Sequence, residues 1–298
     1  MKTLLTGATG LLGQAIWKVF KDEYEIVPVS LSGGKDTVRC DLVQEEEVAR
    51  LIDKYHPSLV IHTAAITDVD LCEREPAFAH QVNTIATRNL TWYSSQIHSA
   101  FIYISTDYVF DGEKRSLYVE EDCPRPINVY GISKLGGENY VSYFMEEYFI
   151  FRTSFLFGRY KQNFVTSCVE RLTSGEELVV AHDQIITPTY VDDFAQALKE
   201  FLKKVRTLPQ RGETAYGIYH LVNQGKCSRY ELVVEIARIL GVDTDVITGV
   251  NLDQISKDAE RPLFSALSPH KFQKFTGFII RDWKEALKEF LSQYAKKG

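Results

Sequence analysis

Between a short apolar run, KTLLTG, and a segment that is apolar at helical spacing, LLGQAIWKVFK, the chain reads TGATGLLG, with Gly7, Gly10 and Gly13 at intervals of three. No other stretch limits the fold as much. Gly7 permits a tight turn, Gly10 lets a ligand approach the backbone with no Cβ in the way, and Gly13 lets the helix pack close to the strand. The helix that follows presents free N–H groups and the positive end of its dipole to an anion. The spacing is G-x-x-G-x-x-G and not the commoner G-x-G-x-x-G. Its place, after the first strand and at the start of the first helix, is that of a pyrophosphate cradle. The alternative is a turn that only joins a strand to a helix.

The rest of the first half keeps the same rhythm. YEIVPVS, SLVIHTAA, AFIYIST and YFIFRTS read as strands, and EEEVARLIDKYHP, AFAHQVNTIATRNLTWYSSQIH and VYGISKLGGENYVSYF read as helices between them. Strands apolar throughout and separated by helices predict a parallel sheet covered on both faces, an α/β Rossmann-type doubly wound fold. Beyond about residue 155 the alternation loosens. NFVTSCVERLTSG, YVDDFAQALKEFLKKV, SRYELVVEIARILG and DWKEALKEFLSQYA read as helices, ELVVA and YGIYHLVN as strands. Ser228 and Glu231 make a capping box, and Gly241 ends that helix. The expected organisation is a nucleotide-binding core of residues 1–155, to which about 188–222 return. Residues 156–187 and 223–298 form a smaller substrate-binding lobe, and ligands occupy the cleft between the two.

The second strand bears on which nicotinamide is used. An acid at its end would bind the adenosine 2′-hydroxyl and select NAD. Here VPVSLSGGK supplies Ser30, Ser32 and Lys35 and no acid, a set that tolerates a 2′-phosphate, so NADPH is expected to be accepted beside NADH. Lys35 reads equally as a solvated loop charge. Further on, Tyr130 and Lys134 are four apart in a helical segment and share one face. A nearby ammonium lowers the pKa of a tyrosine and can also bond a ribose hydroxyl. Tyr130 is then placed to act as a general acid on an alkoxide. A solvated helix face is the alternative. The strand just upstream, ending in STDYVFDG, delivers the hydroxyl of Thr106 to the same edge.

TGATGLLG, STDYVFDG and YGISK together resemble the extended short-chain dehydrogenase/reductase superfamily, and within it the dTDP-4-dehydrorhamnose reductase family. HTAAITDVDLCEREP, RTSFLFG, NFV, DQIITPTYVDD, GIYHLVNQGKCSRYEL and RPLFSAL are similar to later blocks of that family in the same order. The resemblance implies reduction of the C4 carbonyl of a nucleotide-linked 4-keto-6-deoxy sugar by NADPH or NADH, with dTDP-L-rhamnose as product for the namesake substrate. It implies Tyr130 as proton donor, Lys134 as its partner and ribose anchor, and Thr106 as a bond to the substrate carbonyl. Gly7, Thr9, Gly10, Leu11, Leu12 and Gly13 would cradle the pyrophosphate. Asp41 and Leu42 would flank adenine, and Ala64, Ala65, Ile66 and Thr67 would line the cofactor cleft. Asp107, Phe155 and Arg261 would lie on the substrate side. Where many members carry Trp, Gly and Asn, this chain has Phe155, Ile186 and Phe264, which leaves the sugar open.

The same resemblance reaches a non-catalytic regulatory subunit of methionine adenosyltransferase, and nucleotide-sugar epimerases and dehydratases that keep NAD bound; both readings stay open. Asp107 and Asp111 also read as turn-forming residues, Asn83 as bonding within its helix, His62 as a satisfied core residue, and Arg261 as a surface ion pair with Glu260 or Asp258. Net charge is −6 with no long basic stretch, so no nucleic-acid partner is expected. No apolar run approaches the ~20 residues that span a bilayer, and MKTLLTGATGLLG is not a signal peptide, so no membrane partner is expected. The five scattered cysteines, none in C-x-x-C, suit a reduced cytoplasm and offer no metal site. A homodimer is left open.

Overall fold

The computed structural model describes residues 1–208 and 215–294. Residues 209–214 of the expected returning segment and 295–298 of the expected lobe lie outside that description. Strands β1 (Lys2–Thr6), β2 (Glu25–Ser30), β3 (Val38–Arg39), β4 (Leu59–His62), β5 (Ala100–Thr106) and β6 (Tyr148–Thr153) come first. The short β7 (Leu156–Phe157), β8 (Leu178–Ala181), β9 (Ile185–Ile186) and β10 (Thr189–Tyr190) follow, then β11 (Gly217–His220), β12 (Cys227–Ser228) and β13 (Ile247–Val250). Seven of them form one sheet in the order β11-β6-β5-β4-β1-β2-β3, and all its pairings are parallel.

The strands are apolar on successive residues because both faces are covered. In β1, Leu4 and Leu5 point to opposite sides and both are fully buried. On the Leu5 side pack Ile16 and Phe20 of α1 (Leu11–Phe20), with Phe194, Leu198 and Phe201 of the helix Val191–Arg206. On the Leu4 side pack Val48, Leu51 and Ile52 of α2 (Glu45–Tyr55) and Val141 of the helix Val129–Phe144. A second core lies in the later chain: Phe157, Val165, Val169, Leu232, Ile236, Leu287 and Phe290 bury one another around the paired β8 and β13.

In chain order the remaining helices are α3 (Val69–Arg74), α4 (Pro76–His80), α5 (Ala86–Gln96), α6 (Val129–Phe144), α7 (Phe164–Thr173), α8 (Val191–Arg206), α9 (Arg229–Leu240), α10 (His270–Thr276) and α11 (Trp283–Tyr294). The capping box of Ser228 and Glu231 and the left-handed Gly241 bound α9 as the spacing predicts. The stretch expected as one long helix is one continuous helical run from Pro76 to Gln96, in which a π-turn at Gln81–Ile85 joins α4 to α5. Asn83, in that turn, faces the loop after β4 and bonds it. Within HTAAITDVDLCEREP the chain forms α3, which Asp68 caps by accepting from Leu71 N at 2.9 Å. The two-residue strands are too short to carry a periodicity.

Candidate active site

Strand order reverses between β1 and β4: the chain runs from β1 to β2 on one side, and β4, β5 and β6 lie on the other. A crevice opens above that point at the carboxyl ends of the strands, and the loops after β1, β2, β4, β5 and β6 converge on it. Gly7 sits there with φ +67°, and a Cβ on it would lie 2.6 Å from Ala64 N, so only glycine fits. A Cβ on Gly13 would lie 2.2 Å from Gly7 O. The start of α1 is therefore pressed onto the turn itself, and not onto the strand as the spacing suggests. Gly10 is the open position, where a Cβ would meet only Gly7 O at 3.0 Å. α1 has no side-chain cap and no acid in its first turn, so its free N–H groups are left for a ligand.

Two cavities meet at this turn and share Gly10, Thr63, Ala65 and Lys161. The first, of about 540 Å³, is lined by Gly7, Thr9, Ser30, Asp41, Leu42, Ala64 and Ile66. Its walls are mostly apolar around the loop after β2, as a purine requires. The Ser30 hydroxyl is turned inward, accepting from Gly33 N at 3.1 Å, while Lys35 is exposed and stands apart from the lining. The second cavity, of about 500 Å³, is lined by Leu11, Leu12, Gly13, Thr67, Thr106, Asp107, Tyr130, Lys134 and Phe155. A glycine cradle at a helix start, an apolar pocket on one side and a buried, cavity-lining lysine on the other fit a nicotinamide dinucleotide.

The loop between β4 and α3 is held from below. Asn83 accepts from Ile66 N at 2.9 Å and donates to Ile66 O at 3.0 Å and to Ser133 Oγ at 2.9 Å. It does not bond within its helix as expected. It ties the cofactor loop to α6. His62 is the satisfied core residue expected of it, bonded to Thr6 Oγ1 (2.7 Å) and Thr87 Oγ1 (3.0 Å), and burial lowers its pKa to about 3.

Thr106 ends β5 and caps the turn Asp107–Val109, accepting from Tyr108 N at 3.1 Å. α6 starts at an Asn128 cap and lies tightly against this turn: a Cβ on Gly131 would be 2.1 Å from Tyr108 O, and one on Gly137 would be 2.2 Å from the Tyr103 hydroxyl. These two glycines set Tyr130 beside Thr106, a signal in YGISKLGG that sequence reading passed over. Lys134 is buried, donates from Nζ to Ile104 O at 2.8 Å and lies 4.1 Å above the Tyr103 ring. Burial lowers its pKa to about 7, and Glu138, one turn further along α6, works the other way. Tyr130 is raised well above the ordinary tyrosine value by burial, which the Thr106 hydroxyl partly opposes. The expectation that the ammonium lowers this tyrosine fails here because burial dominates; Lys134 Nζ is bonded to the Ile104 carbonyl. A tyrosine held protonated is nonetheless the form a proton donor must take.

Glu138, unremarked in the sequence, completes the series Tyr130, Lys134, Glu138 along one helix face. Its carboxylate accepts two bonds from the buried Arg152, at 3.0 and 2.7 Å, and one from Ser105. The pair locks α6 to β5 and β6 behind Tyr130. Asp107 accepts from Thr106 Oγ1 at 3.1 Å and from Ser154 Oγ at 2.9 Å. Burial raises its carboxyl to about 6 against the pull of Ser265, Ser154 and Thr106. Asp111 is a turn residue, accepting from Glu113 N at 3.1 Å and Tyr118 Oη at 2.7 Å. Phe155 holds φ +45°, a conformation few aromatic residues adopt, and projects into the second cavity. Arg261 lines neither of these two cavities: both its Nη atoms donate to Asp70 at 2.7 Å. The expected partners Glu260 and Asp258 are replaced by an acid 191 residues away. Lys161, which borders both cavities, was also passed over.

With this geometry in hand, comparison with known proteins is informative. Residues 1–296 match the family model described as RmlD substrate binding domain. The chain is 33% identical over 293 residues to the spore coat polysaccharide biosynthesis protein SpsK of Bacillus subtilis (strain 168), covering 98% of this chain and 97% of that protein. A crystal structure of a dTDP-4-dehydrorhamnose reductase from Clostridium acetobutylicum ATCC 824 superposes with a TM-score of 0.90 at 34% identity, over 99% of this chain and 100% of that one. The dTDP-4-dehydrorhamnose reductase of Bacillus anthracis str. Ames, solved in complex with NADP, gives 0.88 at 33% identity, over 98% and 99%.

Proposed function

The chain belongs to the RmlD substrate binding domain family, and on that premise we propose that it reduces the C4 carbonyl of a nucleotide-linked 4-keto-6-deoxy sugar, with dTDP-4-dehydro-L-rhamnose as the first substrate to try. It is an oxidoreductase that takes NADPH or NADH. When bound, the nicotinamide supplies hydride to the carbonyl carbon. The chain's own residues do the rest. The glycine turn and the first N–H groups of α1 hold the pyrophosphate, Lys134 anchors the ribose, and Thr106 bonds the carbonyl oxygen. Tyr130 gives its hydroxyl proton to that oxygen as the alcohol forms. Arg152 and Glu138 keep the helix carrying Tyr130 against the strand carrying Thr106.

The observation that supports this most is the meeting of Tyr130, Lys134 and Thr106 in one cavity with the first turn of α1. The separate cores support a cofactor part built on residues 1–155 with α8 and β11, and a lobe built on α7, α9 and α11. α10, through Phe272, and Ile280 pack on the cofactor side and not in the lobe of 156–187 and 223–298 to which the bounds assign them, while Tyr190 of the returning segment, about 188–222, packs in the lobe core. The cytoplasm is the compartment we favour, because its reducing conditions suit five unpaired cysteines. The test is NADPH oxidation against a panel of dTDP-, UDP- and GDP-linked 4-keto sugars. One nucleotide series should be turned over, with one alcohol formed per NADPH consumed. Cofactor binding without turnover of any of them would overturn the reading.

A further inference from the structure

A group of cations in the later half of the chain carries unmatched charge. Arg229 opens α9, and its guanidinium lies over the rings of Phe164, 4.4 Å from the centroid, and Phe155, 5.3 Å away. One Nη donates to Gln184 Oε1 at 3.2 Å, but Nε is buried with no partner among the described residues. Lys257, on the segment after β13, ends in an ammonium that is likewise buried and without a partner among them. Burial, then repulsion from Arg229 and Arg261, lowers its pKa to about 8; Asp70 and Asp183 act in the opposite sense and do not offset this. Both acids are engaged elsewhere: Asp70 holds Arg261 and accepts from Asp258 N and Ala259 N, while Asp183 accepts from Leu252 N at 2.8 Å. Arg261 is the matched member, Lys257 and Arg229 the unmatched ones.

Their position points to one ligand. Phe155 and Phe164 line the cavity that contains Thr106 and Tyr130. The Gln184 amide that meets Arg229 also lies 3.4 Å from the Tyr108 hydroxyl and 3.4 Å from Pro262 O, beside Arg261. The Tyr108 ring in turn stands edge-on to Tyr130, with centroids 5.9 Å apart. Arg229 is thus joined to the proton donor through Gln184 and the Tyr108 ring, and the Lys257 ammonium lies near enough to Arg229 and Arg261 for both to repel it. A pyranose carries its anomeric oxygen across the ring from C4. With C4 at Tyr130, whatever is attached at C1 leaves the sugar on the far side.

We propose that Arg229 and Lys257 form the subsite that holds the diphosphate of the sugar nucleotide, with the Arg261–Asp70 pair as its fixed wall. This rests on the reading of the preceding subsection. A buried cationic donor with no acceptor is costly, and a dianionic linker removes that cost for both groups at once. Stacking on two aromatic rings fixes the guanidinium plane, and its buried Nε is the donor left without an acceptor among the described residues. Arg261 is the weaker candidate for the grip, since three of its five N–H donors go to Asp70 and Ala259 O and the Asp70 carboxylate offsets its charge.

The experiment is calorimetric titration of the NADPH-loaded protein with dTDP, UDP, GDP and thymidine, repeated on Arg229→Gln, Lys257→Met and the double variant. In the wild type one nucleoside diphosphate should bind, and the bare nucleoside at least a hundredfold more weakly. Each single substitution should weaken that diphosphate at least tenfold. NADPH affinity, read by fluorescence, should not move, which separates this subsite from the cofactor's own phosphates. Should Arg229→Gln fail to fold, Lys257→Met carries the test alone, because it removes an unpaired charge from a part-exposed loop. Diphosphate affinity within threefold of wild type in the folded variants overturns the subsite and leaves the sugar-nucleotide reading standing. A wild type that binds none of the diphosphates overturns that reading and the subsite with it.

Discussion

The two sides of the cleft are held by different kinds of contact. On the sheet side the ligand is met by backbone: the turn through Gly7 and Gly10, the open start of α1, and the loop Thr63–Thr67 fixed by Asn83. On the lobe side it is met by side chains: Phe155, Gln162, Asn163 and Phe164 line the cavity, and behind them stand Arg229, stacked on both rings, and Lys257, unpartnered among the described residues. A backbone cradle recognises what every dinucleotide has, a pyrophosphate, and it depends on the absence of side chains. A side-chain wall can be changed one residue at a time. This is where a chain of this family can alter its sugar without touching its chemistry.

The comparison breaks most visibly at the glycines. Gly13→Val places side-chain atoms against Gly7 O, already 2.2 Å from a bare Cβ, so the turn must open. We expect a stability loss of roughly 3 kcal/mol or more together with loss of NADPH binding. Gly10→Val brings its Cβ to 3.0 Å from Gly7 O, a tight contact that a shift of a few tenths of an ångström relieves. It should leave the melting temperature near that of wild type and weaken NADPH by on the order of a hundredfold, about 2.7 kcal/mol. Fluorescence titration and thermal melts on the two variants separate these effects. Equal behaviour of both would mean that the turn is structural alone.

Asp107 sharpens the comparison at the seam. Its pKa rises from 3.8 to about 6 because it is buried, so the folded protein binds that proton more tightly than the unfolded chain does. The carboxylate therefore costs nothing at pH values below both figures; its cost grows as pH rises from 3.8 to about 6 and stays constant above, at on the order of 3 kcal/mol. Asp107→Asn should be stabilising at pH 8, with the gain fading as pH falls below 6. Melts at several pH values read it directly, and a gain that does not depend on pH would contradict the burial account.

Arg261→Lys is the mildest change. It keeps the charge but loses one of the two bonds to Asp70, so we expect about 1 kcal/mol of lost stability. KM for the sugar nucleotide should rise a few-fold, less than on substitution of Arg229, and cofactor affinity should stay fixed. A larger effect on KM than Arg229→Gln produces would return the main grip to Arg261.

The same contrast explains what could be read from the chain alone. The glycine turn, the buried strands, α6 with Tyr130 and Lys134, and the capping box of α9 each depend on residues a few positions apart, so local pattern carries them. The partners of Asn83, Arg261 and Arg229 lie 17, 191 and 45 residues away along the chain, and no spacing rule selects them. The tyrosine was misjudged for a related reason. A shared helix face places Lys134 near Tyr130, but how deeply both are buried, and that Nζ turns to Ile104 O, follow from the packing of α6 on β5. Gly131 and Gly137 were the available signal: two glycines inside a helix usually mark a close approach.

The central claim is that Tyr130 supplies the proton while the glycine turn, independently, holds the cofactor. Tyr130→Phe removes the hydroxyl and keeps the ring, so the measurement is kcat for sugar-nucleotide reduction and Kd for NADPH on the same preparation. The account expects kcat to fall by ~10²–10⁴ with Kd unchanged within a few-fold. A kcat within threefold of wild type would contradict it.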